Sequence, residues 1–354
     1  MKIALIGPPQ SGKTMLFEAV TGQFDEPGYG TQEALAVVKV PDPRLDVLAK
    51  AYHPKRVTPA TVEFVDVPGF SQVTAQQQAE FRRHIPSLKQ CDGLVAVARS
   101  FANDSVPAYR DRIDPKADLE ELHAELIFAD LETATNRIER LDKALSKPTR
   151  THEQEKRERV LLERCCEKLE AEAPVADAIE SDEERKLVRG FQFLTEKPLI
   201  VVVNVSDSEA AAPKLFEYPS ARAVIGLCAR MEAEIAQLDP GDRQAFLDDL
   251  GVPEPARDRL VQTCYEALGL VSFLTFGDEE VRAWSVPIGT PAVEAAGKVH
   301  TDMARGFIRA ETIAFEDFAA AGDMKAAKAA GKVRLEGKNY IVQDGDCITF
   351  RFNV

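Results

Sequence analysis

The chain opens on an alternation of two periods. Short, nearly continuous apolar runs, Ile3–Ile6, Leu35–Val40, Val62–Val65 and Leu94–Ala98, are separated by stretches of helical character. Two more runs, Leu199–Val203 and Ala223–Leu227, follow much later. Runs of this length without polar alternation read as strands buried on both faces, which predicts a mainly parallel α/β sheet flanked by helices. From about Ala117 to Ala173 the pattern changes. Glycine is absent, charge dominates, and Leu131, Ala134, Ile138, Leu141 and Leu145 recur at three-four spacing until Pro148. A second charged helix then carries Leu162, Cys166 and Leu169. This seam predicts an antiparallel helical hairpin inserted into the sheet domain. The sheet resumes at Lys197-Pro198. After about Val271, strands expected over Glu280–Val286, Gly306–Ile313 and Asn339–Phe352 surround an Ala-rich helix, Met324–Ala330, as a small α+β module. The expected division is 1–116 and 197–271 for the sheet domain, 117–196 for the hairpin and 272–354 for the C-terminal module.

Composition narrows the class. At 354 residues and 45% hydrophobic content, the chain can bury a full core and divide into two or three domains. A net charge of −14 excludes a globally basic nucleic-acid coat protein while leaving room for a local basic patch. No apolar run is long enough to span a bilayer, and the first one breaks at Gly7-Pro8-Pro9, so it reads as a buried strand rather than a signal peptide. Six cysteines without a C-x-x-C pair point to reduced thiols and a cytoplasmic setting without membrane attachment.

The chemistry begins where the first strand ends. Gly7-Pro8-Pro9-Gln10-Ser11-Gly12-Lys13-Thr14 fits G-x-x-x-x-G-K-[ST]. In that motif backbone amides cradle phosphates, Lys13 reaches the β- and γ-phosphates, and the Thr14 hydroxyl ligates Mg²⁺. Met15 continues the phosphate-binding turn into a helix, expected through Val20, that aims its positive dipole end at the anion. Asp66-Val67-Pro68-Gly69 closes the strand Val62–Val65. There Asp66 can hold Mg²⁺ through water, and the Gly69 N–H can sense the γ-phosphate. Thr31, in the Gly/Pro/acidic loop 25–33, is a candidate to complete the Mg²⁺ shell as a first switch. Asn204-Val205-Ser206-Asp207 closes the strand Leu199–Val203, where a base-reading loop belongs. The guanine-type loop N-K-x-D is matched at Asn204 and Asp207, with Val205 in place of the lysine. Cys228-Ala229-Arg230 follows the next strand, where backbone amides touch the base edge.

Together these residues resemble the YchF/Obg-like ATPase family of translation-factor-related P-loop proteins. The resemblance extends over nearly the whole chain, through Pro41-Asp42-Pro43-Arg44-Leu45-Asp46, Ile127–Glu132 and Met231-Glu232-Ala233-Glu234-Ile235. Near the C-terminus, Val281–Trp284, His300–Asp302, Arg305–Glu311 and Gly331–Lys338 look like the family's TGS module, which implies a β-grasp fold. The family implies hydrolysis of ATP, sometimes GTP, and association with the ribosome. The sequence departs from it at four places. Gln10-Ser11-Gly12-Lys13-Thr14 stands where the family's phosphate loop usually reads N-V-G-K-S, Gln32-Glu33-Ala34 lacks the Pro-Asn pair that follows the switch threonine, Ser71–Gln78 replaces a glycine-rich basic segment, and Asp207 stands where the base loop usually has Glu.

The expected enzyme is a slow Mg²⁺-dependent hydrolase of a purine nucleoside triphosphate. Phe70 stands where many GTPases carry a water-positioning Gln, and an apolar ring cannot orient water. His84 is the nearest polar candidate for that task, against the alternative of a helix-face histidine with a structural partner. The missing lysine and the resemblance favour ATP, whereas Asp207 favours GTP; ATP is the expectation. Whether K⁺ assists is left open, as is the oligomeric state. His300, Arg305, Arg309, Lys332, Arg334, Lys338 and Arg351 concentrate basic charge in the C-terminal module. With the hairpin, that module is the expected contact with RNA or the ribosome, of a kind that weakens with salt. Two other readings are a nucleotide-binding adaptor that no longer hydrolyses, and a small-molecule kinase. The D-x-x-G and Asn204/Asp207 loops argue against the kinase.

Overall fold

The computed structural model describes residues 1–24, 33–69, 74–146, 152–249, 252 and 254–353. The chain divides into two compact units, Met1–Ala36 with Glu63–Arg257, and Val37–Val62 with Asp258–Val354. The second unit thus takes in residues 37–62 and 258–271 as well as the C-terminal stretch.

The apolar runs form strands β1 (Lys2–Ile6), β2 (Ala34–Lys39), β4 (Thr61–Asp66), β5 (Gly93–Arg99), β6 (Leu199–Asn204) and β7 (Ala223–Leu227), with Val37–Lys39 of β2 and Thr61–Val62 of β4 counted in the second unit and β3 (Arg56–Thr58) in the other sheet. They make a six-stranded sheet in the order β2-β4-β1-β5-β6-β7. The strands β4, β1, β5, β6 and β7 pair in parallel, with Ala4 beside Val65 and Leu94, and Val97 beside Val202. Every residue of β5 and β6 is buried, because helices cover both faces of a parallel sheet. One face carries Phe81 and Leu88 of the helix Ala75–Lys89 and Leu119, Leu122 and Leu126 of the helix Pro115–Leu145, packed on Ala4, Ile6, Ala96 and Val201. Burying side chains of this size contributes roughly 1.5–3 kcal/mol each.

The charged stretch forms the helices Pro115–Leu145 and His152–Glu170. The 31-residue first helix is capped by Asp114, whose carboxylate accepts from the Ala117 N–H at 3.1 Å, with Pro115 at the first helical position. Only residues 146–151 join the two, so the second runs back along the first. Ala134, Leu141, Leu161, Leu162, Cys165 and Leu169 are buried in their shared core, with Leu131, Ile138 and Cys166 at its margin. The expected seam residue Cys166 therefore gives way to Cys165, one position earlier. Spacing from Leu161 and Leu162 through Cys165 to Leu169 keeps one stripe on the first helix.

The second unit is a mixed six-stranded sheet in the order β11-β10-β12-β8-β9-β3, built from β8 (Leu270–Thr275), β9 (Glu280–Pro287), β10 (Phe307–Ala314), β11 (Arg334–Glu336) and β12 (Asp346–Phe352) with β3. The strand expected over Asn339–Phe352 begins only at Asp346. Residues before it turn through Gly345, at φ 79°, and Asp344 is committed to accepting the Ser272 N–H at 2.8 Å. The single expected Ala-rich helix, here Met324–Ala329, is joined by Ala292–Val299, Thr301–Arg305 and Phe315–Ala321. The Pro41–Asp46 motif lies in this unit. Arg44 holds both Asp42 oxygens at 2.8 and 2.9 Å and the Asp344 carboxylate at 2.6 Å.

Candidate nucleotide-binding site

The phosphate loop is set by the end of β1. Gly12 caps the helix Lys13–Thr21 with φ 93°, a left-handed conformation that favours glycine, and a Cβ there would overlap the Asn204 side-chain amide. The first N–H to close an intrahelical bond is that of Leu16, on the Gly12 carbonyl at 2.9 Å. The amides of Lys13, Thr14 and Met15 therefore have no partner within the helix, the usual condition for anion binding at a helix start.

Lys13 is buried, and its Nζ donates to the Pro8 carbonyl at 3.0 Å. Burial drives its pKa down to about 8, against the opposing pull of Asp66. Asp66, 1% exposed at the carboxyl end of β4, accepts the Thr14 hydroxyl at 3.0 Å on Oδ2, while Oδ1 has no partner. Burial raises the Asp66 pKa, with Lys13 and the Thr14 hydroxyl opposing. An orphaned carboxylate oxygen beside a hydroxyl suits a hard divalent cation such as Mg²⁺, which keeps water and phosphate oxygens as its other ligands. Gly69 completes the cluster. A Cβ on it would lie 3.0 Å from Pro9 Cα and 3.3 Å from Lys13 Nζ, so the D-x-x-G turn touches the phosphate loop through the space of a missing side chain.

Beside this cluster opens a cavity of about 320 Å³. Gln10, Gly12 and Met15 line it from the phosphate loop, Asn204 to Asp207 from the loop after β6, and Cys228 and Arg230 from the start of the helix Ala229–Gln237. Asn204, buried, spends its side chain on the protein: Nδ2 donates to the Ser11 carbonyl and Oδ1 accepts the Ala229 N–H, both at 2.9 Å. Asn204, expected at the nucleotide, lines the cavity and also braces two loops. The Ala229 amide, expected at the base edge, is the other end of that brace. Val205 is buried, and Asp207 sits half-exposed at the rim.

One wall was not anticipated. Phe101, Ala102, Asn103 and Val106 also line the cavity. Arg99, at the end of β5 and only 4% exposed, holds them by donating to the carbonyls of Phe101, Val106 and Pro107 at 3.0, 2.9 and 3.1 Å. Its guanidinium lies over the Phe101 ring at 4.5 Å. The available signal was position: ligands of open α/β sheets bind outside the carboxyl ends of the strands, where β5 delivers this loop.

Comparison with known proteins decides the family. A "Ribosome-binding ATPase YchF" of Bacillus subtilis (strain 168) is 39% identical, over 99% of this chain and 98% of its own length. The chain belongs to the YchF family. A YchF protein of Escherichia coli O157:H7, also called a ribosome-binding ATPase, is 38% identical over 100% of this chain and 99% of its own. The model of a 50S ribosome-binding GTPase matches residues 2–161, and that of the YchF GTPase C-terminal domain matches residues 270–353. Among solved structures, the Schizosaccharomyces pombe YchF GTPase superposes with a TM-score of 0.87 at 26% identity, covering 99% of this chain and 97% of that one.

Of the remaining candidates in this YchF chain, His84 is not among the residues that meet at the phosphate loop. Thr31 lies outside the described residues, as does Phe70. His84, on the helix Ala75–Lys89, is hydrogen-bonded through Nδ1 to the Glu33 carboxylate at 2.7 Å, so it has the structural partner that was its alternative reading. The basic concentration of the C-terminal module is largely neutralised locally. His300 and Arg305 face Asp302, Lys332 faces Asp317, Arg334 faces Glu336 and Asp346, and Arg351 faces Glu311. Arg309 and Lys338 stay exposed without an acidic partner among the described residues.

Proposed function

We propose that this chain is a Mg²⁺-dependent purine nucleoside triphosphatase that prefers ATP and works as a slow switch on the ribosome in the cytoplasm. The observation that carries the reading is the convergence of Lys13, Thr14, Asp66 and Gly69 from two separated segments onto the open amides of one helix start. In this reading Lys13 neutralises the terminal phosphates and the amides of residues 13–15 orient them, while Thr14 and Asp66 hold the cation. Bound Mg²⁺ would supply charge neutralisation on the phosphate oxygens. Gly69 registers the γ-phosphate through its closeness to Lys13. The phenylalanine after Gly69 favours slow intrinsic turnover, raised by a partner. Segments 1–116 and 197–271 would be the nucleotide-handling part, with the hairpin 117–196 and the module 272–354, read as a TGS fold, facing the partner. Ribosome association rests on the names of the relatives and not on the charge of the module.

The test is single-turnover phosphate release from ATP, with and without ribosomes, alongside Lys13→Ala. Release faster than the variant, and faster still with ribosomes, is expected. Rates equal to Lys13→Ala under both conditions would leave only the second reading, a nucleotide-gated adaptor, which the same phenylalanine favours.

A further inference from the structure

The rim of the nucleotide cavity holds a contact that the proposed mechanism does not use. Asp207 is the acid that a guanine-reading loop turns toward the base, where its two oxygens accept two N–H donors. Here both oxygens are already engaged. Oδ1 accepts the Cys228 thiol at 3.0 Å, and Oδ2 is paired with the Arg230 guanidinium. All three residues line the same cavity. Arg230 is supplied by the first turn of the helix Ala229–Gln237, whose start is fixed by the Asn204 brace, so the guanidinium is delivered to Asp207 by the fold.

We propose that Arg230 is a specificity residue that sets the purine preference of this site by occupying the Asp207 carboxylate and so withholding it from guanine. The inference rests on the reading of the cavity as a purine nucleotide site. Guanine presents N–H donors on its Watson–Crick edge; adenine presents an acceptor there. To bind guanine, Asp207 must share or give up Arg230 and the Cys228 thiol, so the two hydrogen bonds that normally select guanine compete with existing ones and gain less. Adenine makes no such demand. It can leave the Arg230–Asp207 pair closed and bind against the apolar part of the wall, Phe101, Val106 and Val205. Because the pair is solvent-exposed, its effect is modest and sensitive to salt.

The experiment measures Kd for the Mg²⁺ complexes of non-hydrolysable ATP and GTP analogues on the full-length chain by calorimetry. It compares wild type, Arg230→Gln, Arg230→Lys, Asp207→Asn and the Arg230→Gln/Asp207→Asn double variant, at low and high salt. Wild type is expected to favour ATP, and Arg230→Gln to shift the GTP-to-ATP Kd ratio toward GTP by roughly three- to five-fold, the scale of an exposed ion pair. Arg230→Lys should restore part of the discrimination, and high salt should narrow it in wild type but not in Arg230→Gln. In the Asp207→Asn background, Arg230→Gln should leave the ratio unchanged. Several results would overturn the inference alone: an unchanged ratio in Arg230→Gln, equal losses for both nucleotides, or a shift that persists without the Asp207 carboxylate. A wild-type preference for GTP would overturn it together with the proposed ATP preference. Binding of neither nucleotide to folded wild type would overturn the site reading and the inference with it.

Discussion

Lys13 is held in an environment that penalises its own charge. Its folded pKa of about 8 lies below the ordinary 10.5, so the folded protein carries fewer protons on this group between those values. Stability of the nucleotide-free protein should therefore rise with pH from about 8 to 10.5, and the cost of the buried charge is complete below 8. Lys13→Met should abolish triphosphate binding and remove the rise in stability between about pH 8 and 10.5, read by denaturant unfolding across that range. A triphosphate restores the charged form. Calorimetry in buffers of different ionisation enthalpy should show close to one proton taken up on binding at about pH 9 and little at about pH 7, with affinity falling as pH rises above about 8. Much of this residue's role was legible, because the G-x-x-x-x-G-K-T spacing names its partner chemistry. Its depressed pKa was not, since burial depends on which strands close around the loop.

At the scale of elements, the site is a junction of strand ends held by braces. Asn204 ties the loop after β1 to the start of the helix Ala229–Gln237, and its loss orphans the buried Ser11 carbonyl and Ala229 N–H. Asn204→Ala should cost about 1–3 kcal/mol for each group left unpaired, seen as a lower midpoint in urea, and should weaken ATP and GTP alike. A loss confined to one purine would instead make Asn204 a base reader. The N-x-x-D spacing gave the position of this residue and its place at the cavity but not the brace it makes, because a loop motif specifies a side chain and not which backbone group lies nearest. The helical hairpin is a separate element with its own core. Leu162→Ala, fully buried there, should destabilise that segment by about 2–5 kcal/mol in hydrogen exchange while the nucleotide affinity stays near wild type.

The whole molecule carries a net charge of −14, and the basic residues that stood out in its C-terminal third are mostly matched by neighbouring acids. Phosphate contacts through this module would draw first on its exposed cations outside these pairs, Lys298, Arg309, Lys325 and Lys338, so the salt dependence of ribosome or RNA binding should be limited. Binding isotherms across a salt series should give a log–log slope of magnitude no more than about 4 for this module, and substitution of all four by Ala should flatten it. A steep slope that survives the fourfold substitution would move the contact elsewhere on the chain.

The order of elements, the phosphate loop and the acid that faces it were set by local sequence, because backbone turns and apolar periods act over a few residues. The membership of residues 37–62 in the C-terminal unit, the late start of β12, the choice of Cys165 over Cys166 and the engagement of Asn204, Asp207 and Arg230 were decided only by tertiary structure. Each depends on a partner distant in the chain, and hydrogen-bond geometry between distant segments leaves no periodic trace in the sequence.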